Sequence, residues 1–249
     1  MKKASAAMEE RAARPRSPSD TSVEVVTALR HRIHNCAVMP GERLKFDELR
    51  AHYGASVGTL REALATLESE GLVRGERNRG FVVAPVSVED LLDITDLRVD
   101  IEKKALRLSL AHGDDAWEAA LVSAWHMLSI VQESRASASE FDSTWAQRHE
   151  HFHACLVAAC PSTWTLRFRS LLFGLYHRYL CLATKIRATT GVRGFGEHEQ
   201  LLKLAIARDV EQIGSVMEHH IRSTTKSILS GLPELQSQGL AVSTTKSGR

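Results

Sequence analysis

The chain lacks long apolar runs, an apolar leader and a strong charge of either sign. No apolar stretch approaches the roughly 20 residues that a membrane-spanning helix requires. The first 20 residues, MKKASAAMEERAARPRSPSD, are basic but contain no apolar core of a secretory signal. The net charge is +2 at pH 7, so any interaction with nucleic acid must depend on local clusters of charge. These absences predict a cytoplasmic protein without a membrane span.

Cysteine and aromatic residues are also scarce. The four cysteines form no CxxC pair and no spacing typical of a disulfide framework, so we expect reduced, mostly buried thiols. Aromatic residues make up 6% of the chain, whereas Leu, Ala, Glu and Arg are frequent, which favours helix over strand. A length of 249 residues is sufficient for one or two domains.

The sequence of the N-terminal third predicts a disordered tail over residues 1–20, followed by three short helices. The first helix runs through VEVVTALRHRIHNC and the second through FDELRAHYG, which ends at Gly54. The third begins after the N-cap Ser56 and ends at Gly71. Helical periodicity predicts the buried positions of the first and third helices: Val25, Leu29, Ile33, Cys36, Leu60, Leu64 and Leu67.

The segment LVRGERNRGFVVAP predicts a β-hairpin with a basic tip. Its strands are Leu72-Val73 and Phe81–Val83, and the tip carries Arg74, Arg77, Asn78 and Arg79. Three short helices followed by such a hairpin are typical of a winged helix-turn-helix, here over residues 21–85. The third helix would present Thr59 and Arg61 outward, and the wing could reach phosphates or a minor groove. Alternatively, the arginines belong to an ordinary solvated turn.

The remainder of the chain predicts an all-helical bundle over residues 86–231, so the fold class is mainly α. Ser87 and Asp90 resemble a capping box at the start of a long helix that ends at Gly113. Further helices are predicted over 115–134, 139–159, 162–184, 195–207 and 209–230, and no strand pattern follows the wing. Residues 232–249 are predicted to form a flexible tail.

Four histidines of the predicted bundle have a spacing that brings them together. His149 and His153 are four apart and share a helix face. His198 precedes Asp209 by eleven residues and His220 follows it by eleven, so a helical hairpin that reverses at Arg208-Asp209 places them level. If the first helix packs on this hairpin, the four imidazoles converge, whereas His151 and His219 point elsewhere.

Four neutral imidazoles suit a divalent ion such as Zn²⁺, Ni²⁺ or Co²⁺, with Zn or Ni the expected cofactor. A closed tetrahedral site would leave no open position, whereas an octahedral ion would leave two for water or a carboxylate. The alternative is that the histidines are hydrogen-bonded core residues without a metal.

Two segments of the chain resemble a known family of regulators. The run PGERLKFDELRAHYGASVGTLREALATLESEGLVRGERNRGFVV resembles the DNA-binding module of GntR-superfamily repressors. The segments DLRVDIE, FHACLVAAC and HEQLLKLAIARDVEQIGSVMEHHI resemble the FadR-type effector domain, FCD. The runs RHEHFH, RFRSLL and YHRYL most resemble carbon-starvation-induced regulators, which respond to short dicarboxylates such as glutarate.

This resemblance implies a ligand-responsive regulator. The expected partners are double-stranded palindromic operator DNA, a second copy of the chain in a homodimer, and a small carboxylic acid effector. The DNA-binding candidates match the family at Thr59 and Arg61, while Val57 and Gly58 stand where many relatives have a polar or basic reader. The full set of DNA-binding candidates is Lys45, Arg50, Ser56, Thr59, Arg61, Arg77, Asn78 and Arg79.

The resemblance also assigns residues to metal and effector. The family's metal-binding members use an Asp and a His four apart and two later histidines, which correspond here to His149, His153, His198 and His220. His149 therefore replaces the family's Asp, which retains a ligand but removes a negative charge. Arg98 matches an arginine that commonly meets the effector carboxylate, and Arg178 is a second candidate. The alternative for Arg98 is a surface pair with Glu102.

Two other functions remain open from the sequence. A metal-dependent hydrolase would need a general base, but Glu150, Glu197 and Glu199 each adjoin a candidate ligand and are expected to point away from it. A regulator whose bundle only dimerises would keep its histidines buried and free of metal. The regulator reading predicts that the chain is not an enzyme.

Overall fold

The computed structural model describes residues 18–77, 79–134, 143–186, 195–237 and 242–243. They form a mainly helical fold, as predicted, in two compact units. Within the described residues, the first unit comprises 18–33 and Ala37–Ala84, and the second comprises His34–Cys36 and the chain from Pro85 onward. No helix in the described part of the chain is long and apolar enough to cross a membrane.

The first unit contains three helices and a small sheet. The helices are α1 (Pro18–His34), α2 (Phe46–Tyr53) and α3 (Val57–Ser69), and the strands are β1 (Arg43–Leu44), β2 (Val73–Glu76) and β3 (Gly80–Val83). The leucines predicted to be buried in α3 are fully buried, as are Leu29 and Ile33 in α1. Gly54 ends α2 with a φ of 63°, a left-handed conformation that glycine adopts without strain.

The sheet of this unit has one strand more than the sequence predicted. β2 and β3 form the expected antiparallel hairpin, with Val73 opposite Val83 and Glu76 opposite Gly80. β1 pairs with the other edge of β3, with Arg43 opposite Val82, so the strand order is β1-β3-β2. A two-residue strand has no periodicity of its own, and β1 is extended because β3 provides its hydrogen-bonding partner.

The N-terminus of α3 is capped as the sequence predicted. Ser56 has extended backbone angles, and its Oγ accepts a hydrogen bond from the backbone N–H of Thr59 at 3.1 Å. Glu70, directly after α3, accepts two hydrogen bonds from Arg30 of α1, from Nε at 2.8 Å and from Nη2 at 2.6 Å. The helix is therefore fixed at both ends and can present its exposed face rigidly.

Replacing Ser56 by alanine is expected to lower the free energy of unfolding by about 1 kcal/mol, because one N–H of the first turn of α3 loses its acceptor. Urea denaturation followed by circular dichroism measures this change. Ser69→Ala is the matched control, since Ser69 is exposed at the other end of α3 and should change stability by less than about 0.5 kcal/mol. Equal stability of the two variants would contradict the capping role.

The second unit is a bundle of six helices in the described residues. They are α4 (Val88–His112), α5 (Asp115–Ser134), α6 (Ser143–Leu156), α7 (Thr163–Ile186), α8 (Phe195–Ile206) and α9 (Val210–Ser237). α4 packs against α7 and α9, α9 also packs against α7 and α8, and α5 packs against α6 and α8. The chain reverses between α8 and α9 at Arg208, whose φ is 58°, and Asp209 caps α9 by accepting from the N–H of Gln212 at 3.0 Å.

A residue of another helix, Tyr179 of α7, helps to hold the start of α4. Ser87 Oγ accepts from the N–H of Asp90 at 3.0 Å, which is half of the predicted capping box. The return bond is bridged by Tyr179 of α7, whose hydroxyl accepts from the N–H of Ser87 at 3.1 Å and donates to Asp90 Oδ2 at 2.6 Å. Burial of the phenol raises the pKa of Tyr179 well above its usual value, and the charge of Asp90 raises it further.

The predicted tails are partly structured. The described part of α1 starts at Pro18, so residues 18–20 of the predicted tail belong to a helix. α9 continues through Gly231 and Pro233 to Ser237. β4 (Val86–Ser87) and β5 (Val242–Ser243) form a two-residue parallel pair, so the expectation of no strand after the wing was wrong. Residues 1–17, 238–241 and 244–249 lie outside the described residues.

Candidate metal centre and DNA interface

Three helices of the bundle bring four histidines to one place. His149 and His153 are one turn apart on α6, His198 is on α8 and His220 is on α9. All four side chains are buried, whereas His151 and His219 are exposed. The hairpin of α8 and α9 places His198 and His220 level with each other, with ring centroids 4.7 Å apart.

The nitrogen atoms of these rings face a common centre. His153 Nε2 lies 3.1 Å from His149 Nε2 and 3.3 Å from His198 Nε2. One ligand nitrogen from each of the four rings can be chosen so that all lie within 4.8 Å of one another. Zinc–nitrogen bonds of about 2.0–2.1 Å at tetrahedral angles separate ligand nitrogens by roughly 3.3 Å. The two short separations fit such an ion, and the cluster could hold a metal.

The surroundings keep the imidazoles available as ligands. Burial lowers the pKa of His149 and of His153 well below the usual value, and the neighbouring histidines lower both further. Both rings are therefore neutral near pH 7, which is the form that binds a metal. Trp145 stacks on His149 with ring centroids 4.5 Å apart and shields that ring on one side.

Glu197 contacts the cluster, contrary to the sequence expectation that it points away. His220 Nδ1 donates to Glu197 Oε2 at 2.7 Å, and this hydrogen bond lowers the pKa of the carboxyl. The bond fixes the proton on Nδ1 and leaves the lone pair of His220 on Nε2. The expectation failed because Glu197 and His220 lie on different helices, and the packing of α8 on α9 decides their contact.

Replacing Glu197 by glutamine is expected to weaken zinc binding by about tenfold, because a neutral amide orients and polarises His220 less well than a carboxylate. Competition with a chromophoric chelator measures the affinity. Glu199→Gln is the matched control: that carboxylate belongs to the same helix but pairs with Lys203 at 2.7 Å. If Glu199→Gln weakens zinc binding as much as Glu197→Gln does, the contact with His220 is not the cause.

A small cavity of about 30 Å³ adjoins the cluster. Its lining includes His149 and His220 from the cluster and the buried side chain of Arg98 from α4; the other lining residues are Trp145, Phe173, Tyr176, His177, Leu180, Ile221 and Thr224. Arg178 is buried on the same helix as Tyr176 and His177 but does not belong to this lining. The structure therefore brings Arg98 to the cavity and leaves Arg178 outside it.

Arg98 and Glu102 are neighbours, but they do not form a surface pair. Both are buried, and Arg98 Nε lies 3.8 Å from Glu102 Oε1. The guanidinium of Arg98 lies over the rings of Tyr176 and Phe173, at 4.4 Å and 4.9 Å from their centroids. Phe173, Tyr176 and His177 were not predicted from the sequence as residues of the effector site. The apolar residues on both sides of YHRYL indicate that this part of α7 is buried, and they were the available signal.

The DNA-binding candidates of the first unit lie mostly at its surface. Arg61 is exposed on α3, with its guanidinium 5.3 Å from the ring centroid of Phe46 in α2. Lys45 and Arg50 are exposed at the two ends of α2, and Lys45 pairs with Glu48 at 2.8 Å. These positions leave three cations around the two helices of the helix-turn-helix.

Thr59 does not face outward, so that part of the prediction was wrong. Its residue is 7% exposed, and its Oγ1 lies 2.9 Å from Ser56 Oγ. The third position after an N-cap turns back toward the capping side chain, and this local contact holds Thr59 against the start of α3. Ser56 and Thr59 thus position the helix, and Arg61 is an exposed cation in its first two turns.

The three arginines predicted for the wing tip are all exposed, but Arg74 lies within β2 and not in the turn. Arg77 and Arg79 are exposed on the turn between β2 and β3, and Asn78 lies outside the described residues. The N–H of Arg79 donates to the carbonyl of Glu76 at 2.9 Å, and Gly80 follows with a φ of 84°. The turn is therefore tight, and its two cations project from a narrow tip.

Comparison with known families matches both units. The family of bacterial regulatory proteins named gntR matches residues 21–83, and the FCD domain matches residues 93–223. Both matches agree with the resemblance seen in the sequence. The matched families and relatives are transcriptional regulators, which supports the prediction that the chain is not an enzyme and gives the hydrolase hypothesis no support.

Individual relatives cover most of the chain. It is 37% identical to the HTH-type transcriptional regulator BphR of Paraburkholderia xenovorans strain LB400, over 74% of this chain and 75% of the relative. It is 34% identical to the HTH-type transcriptional repressor GlaR of Escherichia coli K12, over 81% and 92%. The fold is similar to a GntR transcriptional regulator of Rhodococcus sp. RHA1, with a TM-score of 0.69, 20% identity, and coverage of 84% and 97%.

Proposed function

Since the chain belongs to the gntR family of bacterial regulatory proteins and carries an FCD domain, it is a transcriptional regulator, and we propose that it is a repressor controlled by a small carboxylate. Residues 21–85 are the DNA-binding domain, residues 86–231 bind the effector and dimerise, and the flanking segments 1–20 and 232–249 act as tails. The protein works in the cytoplasm, where its DNA is.

The observation that carries the proposal is the buried Arg98 beside four converging imidazoles. A buried guanidinium that lines a cavity is a strong partner for a carboxylate, because few water molecules compete for it. The cavity of about 30 Å³ can admit a small carboxylate group next to Arg98.

The histidine cluster is proposed to hold a divalent metal, zinc or nickel, through His149, His153, His198 and His220. All four donors are imidazole nitrogens, which suit these ions better than magnesium or calcium. Such an ion would supply a Lewis-acidic position for a carboxylate oxygen. The chain's own residues orient the site: Glu197 fixes the tautomer of His220, and Trp145 packs on His149.

DNA binding is assigned to Arg61 for base contact and to Lys45, Arg50, Arg77 and Arg79 for phosphates. These arginines and the lysine are exposed on α2, α3 and the wing, or directly before α2, where they are accessible to a duplex. A palindromic operator matches a homodimer, because the two half-sites then see identical surfaces. Effector and operator are linked thermodynamically, so an effector that binds the DNA-free form better releases the operator.

Selection of duplexes from a random pool by the full-length, zinc-supplemented protein tests the proposal. We expect enrichment of a palindrome, which is then used in fluorescence anisotropy with formate, acetate, malonate and succinate. One of these acids should change operator affinity by about 5- to 150-fold, the usual range of allosteric coupling. If no sequence is enriched, the DNA-binding assignment is contradicted. If a palindrome is enriched but none of the four acids changes the affinity for it, the chain is a regulator whose bundle only dimerises.

A further inference from the structure

Arg169 of α7 contacts both the helix that carries Arg98 and the helix that carries His153, but it does not line the cavity. Its Nε donates to Glu102 Oε2 on α4 at 2.9 Å, and its Nη2 donates to the backbone carbonyl of His153 on α6 at 2.8 Å. The side chain is buried, with only 8% of its surface exposed. One guanidinium thus joins three helices, one of which carries Arg98 and another the central histidine of the cluster.

The contact with His153 satisfies a carbonyl at the end of α6. That helix ends at Leu156, so the last four carbonyls have no N–H partner further along the helix. A cation at the C-terminal end of a helix also interacts favourably with its dipole. Arg169 therefore fixes the backbone at the residue whose Nε2 faces both His149 and His198.

The contact with Glu102 determines how strongly Arg98 is neutralised. Glu102 is fully buried, and its Oε2 is engaged by Arg169. Its Oε1 lies 3.8 Å from Arg98 Nε, beyond hydrogen-bond distance, and neither atom has a hydrogen-bond partner among the described residues. Two buried arginines thus share one carboxylate, and the nearer one is Arg169.

We propose that Arg169 is a positioning residue that engages Glu102 and thereby keeps the guanidinium of Arg98 available to a carboxylate in the cavity. Without Arg169, Glu102 would turn its charge fully to Arg98, because an unpaired buried carboxylate is costly and Arg98 is its nearest remaining cation. The effector would then compete with an internal carboxylate. This inference rests on the proposed carboxylate site.

The test compares Arg169→Met, Glu102→Gln and the double variant with the wild type. Calorimetric titration with formate, acetate, malonate and succinate is done on the full-length, zinc-supplemented protein, and the zinc content and melting curve of each variant are recorded. Arg169→Met should weaken binding by about tenfold, the loss expected when a charge-assisted contact must be broken. The double variant should bind within about threefold of the wild type, because the competing carboxylate is then absent.

The outcomes separate the inference from the proposed function. Rescue of binding in the double variant without a rise in melting temperature supports the inference. Rescue that accompanies a recovered melting temperature is relief of an unpaired buried carboxylate and overturns it. The inference is overturned if Arg169→Met binds the acids as tightly as the wild type does. It is also overturned if the double variant binds them as weakly as Arg169→Met does. Both outcomes leave the carboxylate site intact. If the wild type binds none of the four acids, the carboxylate site itself is contradicted, and this inference with it.

Discussion

Replacing His153 by alanine is expected to remove bound zinc or nickel from the protein. His153 is the central ligand of the proposed site, with its Nε2 3.1 Å from that of His149 and 3.3 Å from that of His198. Its loss leaves three imidazoles and an apolar gap. Removing only a hydrogen-bond partner of a metal ligand weakens metal binding by up to about 100-fold, so loss of the ligand itself should weaken it by more. Elemental analysis of tag-free protein measures the metal content.

The matched control for this substitution is His151→Ala. His151 belongs to the same helix and the same sequence run, but its side chain is exposed and faces away from the cluster. Wild type and His151→Ala should each hold about one metal per chain, while His153→Ala should hold none. If none of the three proteins contains metal after loading with zinc or nickel, the four histidines are core residues and the metal assignment is wrong.

A second substitution, Arg61→Ala, is expected to weaken operator binding by about 5- to 150-fold, which corresponds to ~1–3 kcal/mol for a base-reading arginine. Arg61 is exposed in the first two turns of α3, where the backbone is fixed by the Ser56 cap. Because a base contact carries sequence information, the loss should be confined to the operator. Binding to a scrambled duplex should change little.

Fluorescence anisotropy over a range of salt concentrations distinguishes a base contact from a phosphate contact. Loss of a phosphate contact would weaken both duplexes and reduce the salt slope by about one. Arg107→Ala is the control, since Arg107 is an exposed cation of α4 in the other unit and its removal changes net charge equally. A uniform loss on both duplexes would assign Arg61 to a phosphate, and an unchanged operator affinity would exclude it from the interface.

Local patterns explain how much of this molecule was predictable. The leucines of α3 recur at helical spacing and are buried, because one face of a helix meets the core whatever the core contains. Ser56 and Gly54 mark helix ends through interactions with neighbouring residues. Even the approach of His198 to His220 follows from local sequence, since the cap at Asp209 sets the reversal and the helical rise sets the register.

Contacts between separate helices were not encoded in this way. Sequence adjacency suggested that Glu197 points away from the cluster, yet it bonds His220 because α9 packs against α8. Thr59 is a local exception: it was expected at the surface, although its position three residues after the cap brings its Oγ1 to Ser56 Oγ. Nothing in the spacing of Arg98, Glu102 and Arg169 indicates that two arginines divide one carboxylate.

The sequence by itself determined the helices, their caps, the reversal and which histidines share a face, because these depend on neighbours within one or two turns. Tertiary structure alone decided which carboxylate orients His220, that Arg98 and not Arg178 reaches the cavity, and that Arg169 lies behind His153. Those arrangements depend on the rotation and offset of one packed helix against another. Side-chain volumes across the whole core set both, and no single segment specifies them.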